Sequence, residues 1–461
     1  MIRDFFYPNS IAIIGATANP KKFGNAVTIN ILKNKELENN IYLVSKGSKK
    51  IEGKKSFESI LDIPNQVDIA IILVPSNAVE IIIEECIEKK VKGIIIITAG
   101  FGEIDEEGKV IEKRIADRCK KAGIRVMGPN CVGIQNNEID LNASFIQAAP
   151  KGKISMISQS GSFACATFYA MEKENLGCSK FANIGNNIDV SFVDILRYFD
   201  DDENSKIICI YMETINEGKE FCKILKSMIP HKPVVILKGG KTNYGMKAAS
   251  SHTGAIATNY KMLKTAIKQA GAILCEDIND YILALKAFSL LPLPQGERIG
   301  VLTNSGGSSV LFSDKAEEYG LKLTEFSTEF LQKIRPYLIP LVKLVNPLDM
   351  IGVAEEQQYY QITKAMLEDP NIDIVVPCLV VPPFLEMSTN EHYRGMVRAW
   401  NDTNRKKPLI PLVLMGQNFK DIKDLATKEN APIFYTPHDA AYTIKLLIER
   451  KAITKILIKI F

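Results

Sequence analysis

The chain has 461 residues, of which 46% are hydrophobic and 24% charged, a composition typical of a globular protein of about three domains. A net charge of +4 is too small to indicate a nucleic-acid partner, and no apolar run approaches the roughly 20 residues that cross a membrane. The nine cysteines form no CxxC pair, and the N-terminal segment has no signal-peptide pattern because Asp4 and Pro8 interrupt any apolar run. We therefore expect a cytoplasmic protein without zinc or another bound metal.

The first part of the chain alternates short β-branched runs with amphipathic helical patterns. Near-continuous apolar strands separated by helices are typical of a parallel sheet that is covered on both faces. Residues 77–90 have the pattern of one such helix. The alternation predicts a doubly wound, Rossmann-like domain over residues 1–130. Its predicted strands are residues 11–16, 41–45, 67–75, 93–100 and 124–130.

The alternation then starts again twice, which predicts an α/β fold with two more parallel-sheet domains. A second domain is expected at 131–291, and the polar segment 292–298, which contains proline and glycine, is the best linker candidate. The third domain is expected at 298–461, where the final run "ITKILIKIF" favours a terminal helix or an edge strand over a membrane anchor. The predicted strands of these two domains are residues 152–160, 206–214, 232–240, 298–307, 372–382 and 408–416.

The turn after the first strand has the composition of a phosphate site. Gly15 and Gly24 allow close backbone approach, and Lys21 and Lys22 precede a helix whose N-terminus attracts anions. The segment lacks GxGxxG, and the second strand ends at Lys46 instead of an acid, which argues against a dinucleotide-dependent dehydrogenase. An ordinary turn with surface lysines is an equally good interpretation of this segment alone.

Two further strand ends carry polar or glycine-containing turns. "GPNCVG" places Asn130 and Cys131 after the fifth strand, where the cysteine is either a ligand contact or a buried spacer. "SQSGS" places Ser160, Gly161 and Ser162 at the start of a helix. Unpaired amides at a helix N-terminus can bind phosphate, although simple N-capping explains the serines equally well.

One histidine lies among small residues, in "KAASSHTGAIA". We predict that His252 lies on a loop, because nothing bulky surrounds it. It follows a predicted strand end, and a second strand end supplies Glu213. A carboxylate that accepts a hydrogen bond from one ring nitrogen fixes the tautomer and makes the other nitrogen a better nucleophile. The alternative is a solvent-exposed loop histidine without a function.

These motifs together resemble those of the α-type subunit of the NDP-forming acyl-CoA synthetases. This family contains the ADP-forming acetate–CoA ligases and is related to the succinyl-CoA synthetase α subunit. The resemblance covers nearly the whole chain and depends on "GPNC", "SQSGS", Glu213 in "IYMET" and, above all, "SHTGA". The third domain is similar to the extra ligase domain of the ADP-forming branch through "TNSGGSSVLFSD" and "NPLDM". The implied fold is a Rossmann-like CoA-binding domain followed by two flavodoxin-like domains.

The resemblance also implies a reaction and a role for each motif. Acyl-CoA, inorganic phosphate and ADP would be interconverted with a carboxylic acid, CoA and ATP through an acyl phosphate. His252 would become phosphorylated, Glu213 would hold its ring, and the turn Ser160–Gly161–Ser162 would bind phosphate. The implied CoA-binding residues are Gly15, Ala16, Thr17, Lys22, Gly24, Lys46, Thr98, Ala99, Asn130 and Cys131.

Two features set expectations for the substrate and the partner. Cys165 occupies the position of a tyrosine in succinyl-CoA synthetase, so we expect acetate or another small acid instead of succinate. No ATP-grasp segment follows the third domain, so ADP or ATP with Mg²⁺ is expected mostly on an ATP-grasp β subunit, in an α2β2 heterotetramer. The alternative function is a CoA-binding regulatory module without catalysis, which would not need to retain both His252 and Glu213.

Overall fold

The computed structural model describes residues 2–253, 260–380, 389–414 and 419–460. The chain divides into two compact units, Met1–Ile282 and Leu283–Phe461. The first unit holds two seven-stranded sheets and the second unit holds one five-stranded sheet. The α/β fold with mainly parallel sheets is therefore confirmed.

The first sheet consists of β1 to β7 in the order β3-β4-β2-β1-β5-β6-β7. All its pairings are parallel except that between β3 and β4. The Ile-rich strands β1, β5 and β6 are buried along their whole length, as expected when helices cover both faces. The elements are α1 Ile2–Phe6, β1 Ile11–Ile14, α2 Phe23–Leu32, β2 Ile41–Val44, β3 Lys50–Ile51, β4 Lys54–Phe57, β5 Ile69–Ile72, α3 Ser76–Glu88, β6 Gly93–Ile96, α4 Glu106–Lys121 and β7 Arg125–Met127.

The second sheet has the order β14-β13-β12-β10-β11-β8-β9, and its strands β8 and β9 run antiparallel to their neighbours. The sequence pattern did not predict these two strands or β11, because buried polar side chains interrupt their apolar runs. The elements are β8 Gly133–Asn136, β9 Leu141–Ser144, β10 Lys151–Ser158, α5 Gly161–Lys173, β11 Cys178–Asn183, α6 Phe192–Asp201, β12 Ile207–Met212, α7 Gly218–Met228, β13 Val234–Lys238, α8 Asn243–Thr253, α9 Tyr260–Ala270 and β14 Ile273–Cys275.

The sheet of the second unit has the order β16-β15-β18-β19, and β17 also pairs with β15. All these pairings are parallel. Residues Pro437–Ile460 form a helix, so of the two predicted alternatives the terminal helix is confirmed. The elements are α10 Ile278–Leu290, which enters from the first unit, β15 Arg298–Thr303, α11 Gly306–Glu318, β16 Lys322–Leu323, α12 Thr328–Ile334, β17 Leu348–Asp349, α13 Glu356–Glu368, β18 Ile374–Leu379, α14 Thr389–Asp402, β19 Leu412–Val413, α15 Phe419–Glu429 and α16 Pro437–Ile460.

Candidate active site

The first unit contains a cavity of about 1000 Å³ at the carboxyl ends of the strands of its first sheet. Ligands of open α/β sheets bind at this edge, because the loops that follow parallel strands converge there. The start of α5, from the second sheet, closes one side of the cavity. Every predicted CoA- and phosphate-binding residue lines it: Gly15, Ala16, Thr17, Lys22, Gly24, Lys46, Thr98, Ala99, Asn130, Cys131, Ser160, Gly161 and Ser162.

The turn after β1 needs glycine for a steric reason. Gly15 has a φ of +98°, and a Cβ on it would lie 2.6 Å from the carbonyl oxygen of Leu73. Its amide donates to Val44 O at 3.0 Å, which holds the turn against the end of β2. A Cβ on Gly24 would collide with the carbonyl oxygen of Gly15. The two glycines therefore let the first turn of α2 approach the strand ends, with Lys22 exposed immediately before it.

The turn after β7 forms the opposite wall through backbone and side-chain hydrogen bonds. Asn130 has a φ of +57°, and its amide donates to Thr98 O at 3.0 Å. The Thr98 hydroxyl in turn donates to Val74 O at 2.7 Å. Cys131 is buried and donates through Sγ to Ile96 O at 3.2 Å. Burial raises the pKa of the Cys131 thiol to about 12, so it is protonated at neutral pH and acts as a wall rather than a nucleophile.

The first turn of α5 presents the positive end of a helix to the cavity. Ser160 is the N-cap residue, and its Oγ accepts a hydrogen bond from the Phe163 amide at 3.3 Å. A Cβ on Gly161 would overlap Cγ1 of Val132, so only glycine lets this turn pack against the segment that leads into β8. The first-turn amides of a helix have no intrahelical acceptors and favour an anion. The turn is thus suited to phosphate.

Glu213 does not line the cavity but is linked to it through one side chain. It follows β12, is 5% exposed, and its Oε1 accepts a hydrogen bond from the Tyr211 hydroxyl at 3.1 Å. The side-chain oxygen of Gln159, a cavity-lining residue, accepts the amides of Glu213 and Thr214. Burial, together with the nearby Glu213 charge, raises the pKa of Tyr211, so the phenol stays neutral and donates. Gln159 therefore joins the cavity wall to the carboxylate.

The prediction that His252 lies on a loop is wrong, because the backbone of His252 is part of a helix. Residues Asn243–Thr253 form helix α8, within which Met246, Lys247 and two alanines are good helix formers. The Thr242 hydroxyl accepts the Gly245 amide at 3.2 Å near the start of this helix. The side chain of His252 lies outside the described residues, as do residues 254–259. The structure therefore gives no distance between His252 and Glu213.

The sequence analysis did not predict several residues of the cavity wall. Phe23 and Phe145 stack with ring centroids 4.4 Å apart at the wall, and Phe145 immediately follows β9, the second strand of the unpredicted hairpin. Cys165, by contrast, does not line the cavity. Its thiol donates to Gln147 Oε1 at 2.9 Å. The substitution at residue 165 therefore has no direct contact with this cavity.

Within residues 2–253, 260–380, 389–414 and 419–460, no group of three or more His, Cys, Asp and Glu side chains is placed to hold a metal ion. In the same parts of the chain, no helix has the length and apolar character needed to span a membrane.

Family models match three consecutive parts of the chain. A CoA-binding domain matches residues 9–137, a succinyl-CoA ligase-like flavodoxin domain matches 151–288, and a ligase-CoA domain matches 299–409. The first match contains most of the cavity wall, and the second contains the start of α5 and Glu213.

Similar proteins and structures extend over the whole chain. The α subunit of ADP-forming acetate–CoA ligase II from Pyrococcus furiosus is 40% identical over 98% of each chain, and that of ligase I is 35% identical over 96% of each. The solved structure of a dinucleotide-forming acetyl-coenzyme A synthetase from Candidatus Korarchaeum cryptofilum, in complex with phosphate and ADP, has a TM-score of 0.93 and 30% identity. That comparison covers 100% of this chain and 99% of the other. The chain therefore belongs to the α subunits of the ADP-forming acyl-CoA ligases, which are acid–thiol ligases.

Proposed function

We propose that this chain catalyses the interconversion of acyl-CoA, inorganic phosphate and ADP with a carboxylic acid, CoA and ATP. A phosphate oxygen attacks the thioester carbonyl, and the CoA thiolate leaves and takes up a proton, which gives an acyl phosphate. A ring nitrogen of His252 then attacks phosphorus, the acid leaves as a carboxylate, and the phosphohistidine transfers its phosphoryl group to ADP. Acetate, named in two relatives, or another small acid is the proposed substrate.

The observation that carries this proposal is that one cavity combines a CoA-sized space with a helix N-terminus. Lys21, Lys22 and Lys46 line the cavity and supply positive charge for the phosphates of CoA. Ser160, Gly161 and Ser162 line the same space, so a phosphate on the first turn of α5 would lie beside a bound thioester. Phosphoryl transfer needs such placement and charge neutralisation more than acid–base chemistry.

Glu213 and His252 are the proposed catalytic pair. The Tyr211 hydroxyl donates to the Glu213 carboxylate, and the Gln159 side-chain oxygen accepts the Glu213 amide. Both bonds support a position from which Glu213 would accept a ring N–H of His252. The serines, threonine and glycine around His252 leave the ring free of bulky neighbours in the sequence, as a residue that carries a phosphoryl group between two sites requires.

We further propose that a β subunit completes the enzyme. ADP or ATP with Mg²⁺ would bind mostly to an ATP-grasp partner, in an α2β2 heterotetramer. The division into domains at residues 1–130, 131–291 and 298–461 is also a proposal, supported by one sheet in each part. A cytoplasmic location is proposed because all nine cysteines are free.

A CoA-binding regulatory module without catalysis is the alternative, and relatives named as ligases favour catalysis. The test is to incubate the chain and its co-purified partner with acetyl-CoA and labelled phosphate, and to follow acid-stable and acid-labile label. We expect acid-labile label in the wild type, none in His252→Ala, and ATP formation when ADP is added. CoA binding without label in the wild-type complex would support the regulatory alternative and refute the catalytic proposal.

A further inference from the structure

Two stacked phenylalanines in the cavity wall have no part in the reaction described so far. Among the described residues that line the cavity, Phe23 and Phe145 are the aromatic ones. Their rings are nearly parallel, with an interplanar angle of 24° and centroids 4.4 Å apart. Phe23 begins α2 and remains 64% exposed despite this contact, whereas Phe145 is half-buried. Apolar rings that line a cavity of ligand size are available to contact a ligand.

The backbone of Phe145 lies beside the turn that is proposed to bind phosphate. The Phe145 amide donates to Val132 O at 3.4 Å, and Val132 is the residue against which Gly161 packs. Gln147 ties the same segment to α5, because its Nε2 donates to Cys165 O at 3.1 Å and its Oε1 accepts the Cys165 thiol at 2.9 Å. Phe145 is therefore held at the end of the cavity where the thioester would meet phosphate.

A second set of contacts holds this segment against α2. Asn30 Nδ2 donates to Ser144 O at 2.9 Å and to Ile146 O at 3.3 Å, on either side of Phe145. The first residue of the same helix is Phe23. One helix thus positions both rings, and the ring of Phe145 is fixed by backbone contacts to α2 on one side and to α5 on the other.

The position of the pair favours contact with the acyl group over contact with the rest of CoA. The phosphates of CoA need positive charge, which the cavity lysines supply, whereas two phenyl rings offer only apolar surface. Attack by phosphate on the thioester requires the carbonyl carbon at the first turn of α5, so the acyl chain must lie against the wall beside that turn. A packed ring that cannot move aside excludes a bulky chain, because overpacking is unfavourable.

We infer that Phe145, supported by Phe23, limits the acyl group to short, unbranched, apolar chains. This inference rests on the proposed function and names the class of thioester that the same site accepts. Phe145 contacts the acyl group, and Phe23 holds the Phe145 ring in place by stacking.

The test compares ATP formation from acetyl-CoA, isobutyryl-CoA and phenylacetyl-CoA in the complex with the partner subunit. The value of kcat/KM is measured for each thioester with phosphate and ADP in excess. We expect Phe145→Ala to raise the kcat/KM of isobutyryl-CoA relative to that of acetyl-CoA by about tenfold or more, the usual effect of one misfitting methylene in an apolar pocket. Phe23→Ala should move this ratio in the same direction by a smaller factor, because it loosens the Phe145 ring without removing it.

Tyr169→Ala is the matched control. Tyr169 is an aromatic residue of α5 that is exposed to a similar extent, 60%, and it does not line the cavity. Its removal should leave the ratio of the two kcat/KM values unchanged. If Phe145→Ala does not fold, Phe145→Leu and Phe23→Ala decide, since leucine keeps most of the apolar packing and the exposed Phe23 side chain can be truncated without opening a core.

The outcomes separate this inference from the proposed function. Absence of ATP from every thioester in the wild type would refute the proposed function itself. A wild type that forms ATP, with the same ratio in Phe145→Ala, would refute the role of Phe145 alone. An increase in KM that is equal for all three thioesters would mean that the rings contact the part of CoA that they share, and would also overturn the inference. An equal change of the ratio in Tyr169→Ala would assign the effect to a general loss of packing.

Discussion

The packing of Gly161 allows a quantitative test of how the first turn of α5 is placed. A Cβ at this position would overlap Cγ1 of Val132 and lie 3.2 Å from its Cβ. Val132 is buried and β-branched, so it has few rotamers with which to move away. We expect Gly161→Ala to destabilise the protein by about 1–3 kcal/mol, the usual range for overpacking. For a unit of this size that is a fall in Tm of about 2–4 °C for each kcal/mol.

Two further variants test whether the overlap with Val132 causes the effect: a control glycine at the start of another helix, and a smaller side chain at residue 132. Gly218 is also the first residue of a helix, but a Cβ on it would meet nothing within 4 Å, so Gly218→Ala should be neutral or stabilising by about 0.4–1 kcal/mol. Adding Val132→Ala to Gly161→Ala should restore part of the phosphate-dependent activity, because it removes the overlapping atoms. Thermal unfolding and phosphate-dependent ATP formation from acetyl-CoA and ADP provide the two measurements. Equal Tm values for Gly161→Ala and Gly218→Ala, or no recovery in the double variant, would refute the steric argument.

Three further predictions concern the cavity wall and the buried charges. Gln159→Ala leaves the buried Glu213 amide without its acceptor, so kcat should fall by the equivalent of about 1–3 kcal/mol while CoA affinity in calorimetry stays nearly unchanged. Cys131→Ala should retain activity within a few-fold, and the Cys131 thiol should resist alkylation at pH 7.5, because its pKa is about 12; rapid alkylation would contradict this. Burial alone would raise the pKa of Glu138, but the hydrogen bond and charge of Lys180 lower it below its usual value of 4.5. The pair therefore stabilises the fold fully above about pH 4.5, and this stabilisation is lost as the pH falls through the lowered pKa. Glu138→Gln should therefore narrow the gap in stability between pH 7 and pH 3, as measured by urea unfolding.

The sequence predicted the cavity well because its walls are strand ends. A near-continuous apolar run followed by glycine, asparagine or serine marks both the strand and the turn that leaves it, and parallel strands bring those turns to one edge. Gly15, Asn130 and Gly161 follow this rule, and each lies at a turn that lines the cavity. Their positions in the sequence are far apart, but the topology of the two sheets brings them together.

The features that the sequence missed depend on polar side chains that are satisfied only by tertiary contacts. Strand β8 contains Gln135 and Asn136, which are buried and bond to Ser144 and to the Phe6 carbonyl. A hydrophobic pattern cannot reveal such a strand. Gln159 was missed for the same reason, since its partners lie 54 and 55 residues later in the chain. The helix around His252 was missed because small residues were interpreted as a loop, although alanine favours helix.

The two sheets of the first unit contribute different parts of the proposed active site. The first sheet supplies the turns at Gly15 and Asn130, which leave room for a long ligand, whereas the second supplies a helix N-terminus at Gly161 and the carboxylate Glu213. Gln159 lies where these two contributions meet, because it lines the cavity with one face and accepts the Glu213 amide with its side chain. A change in the position of α5 would therefore disturb phosphate and carboxylate together. This coupling is why we expect Gly161→Ala to lower the rate of phosphoryl transfer more than the affinity for CoA, since the lysines proposed to contact CoA follow strands of the other sheet.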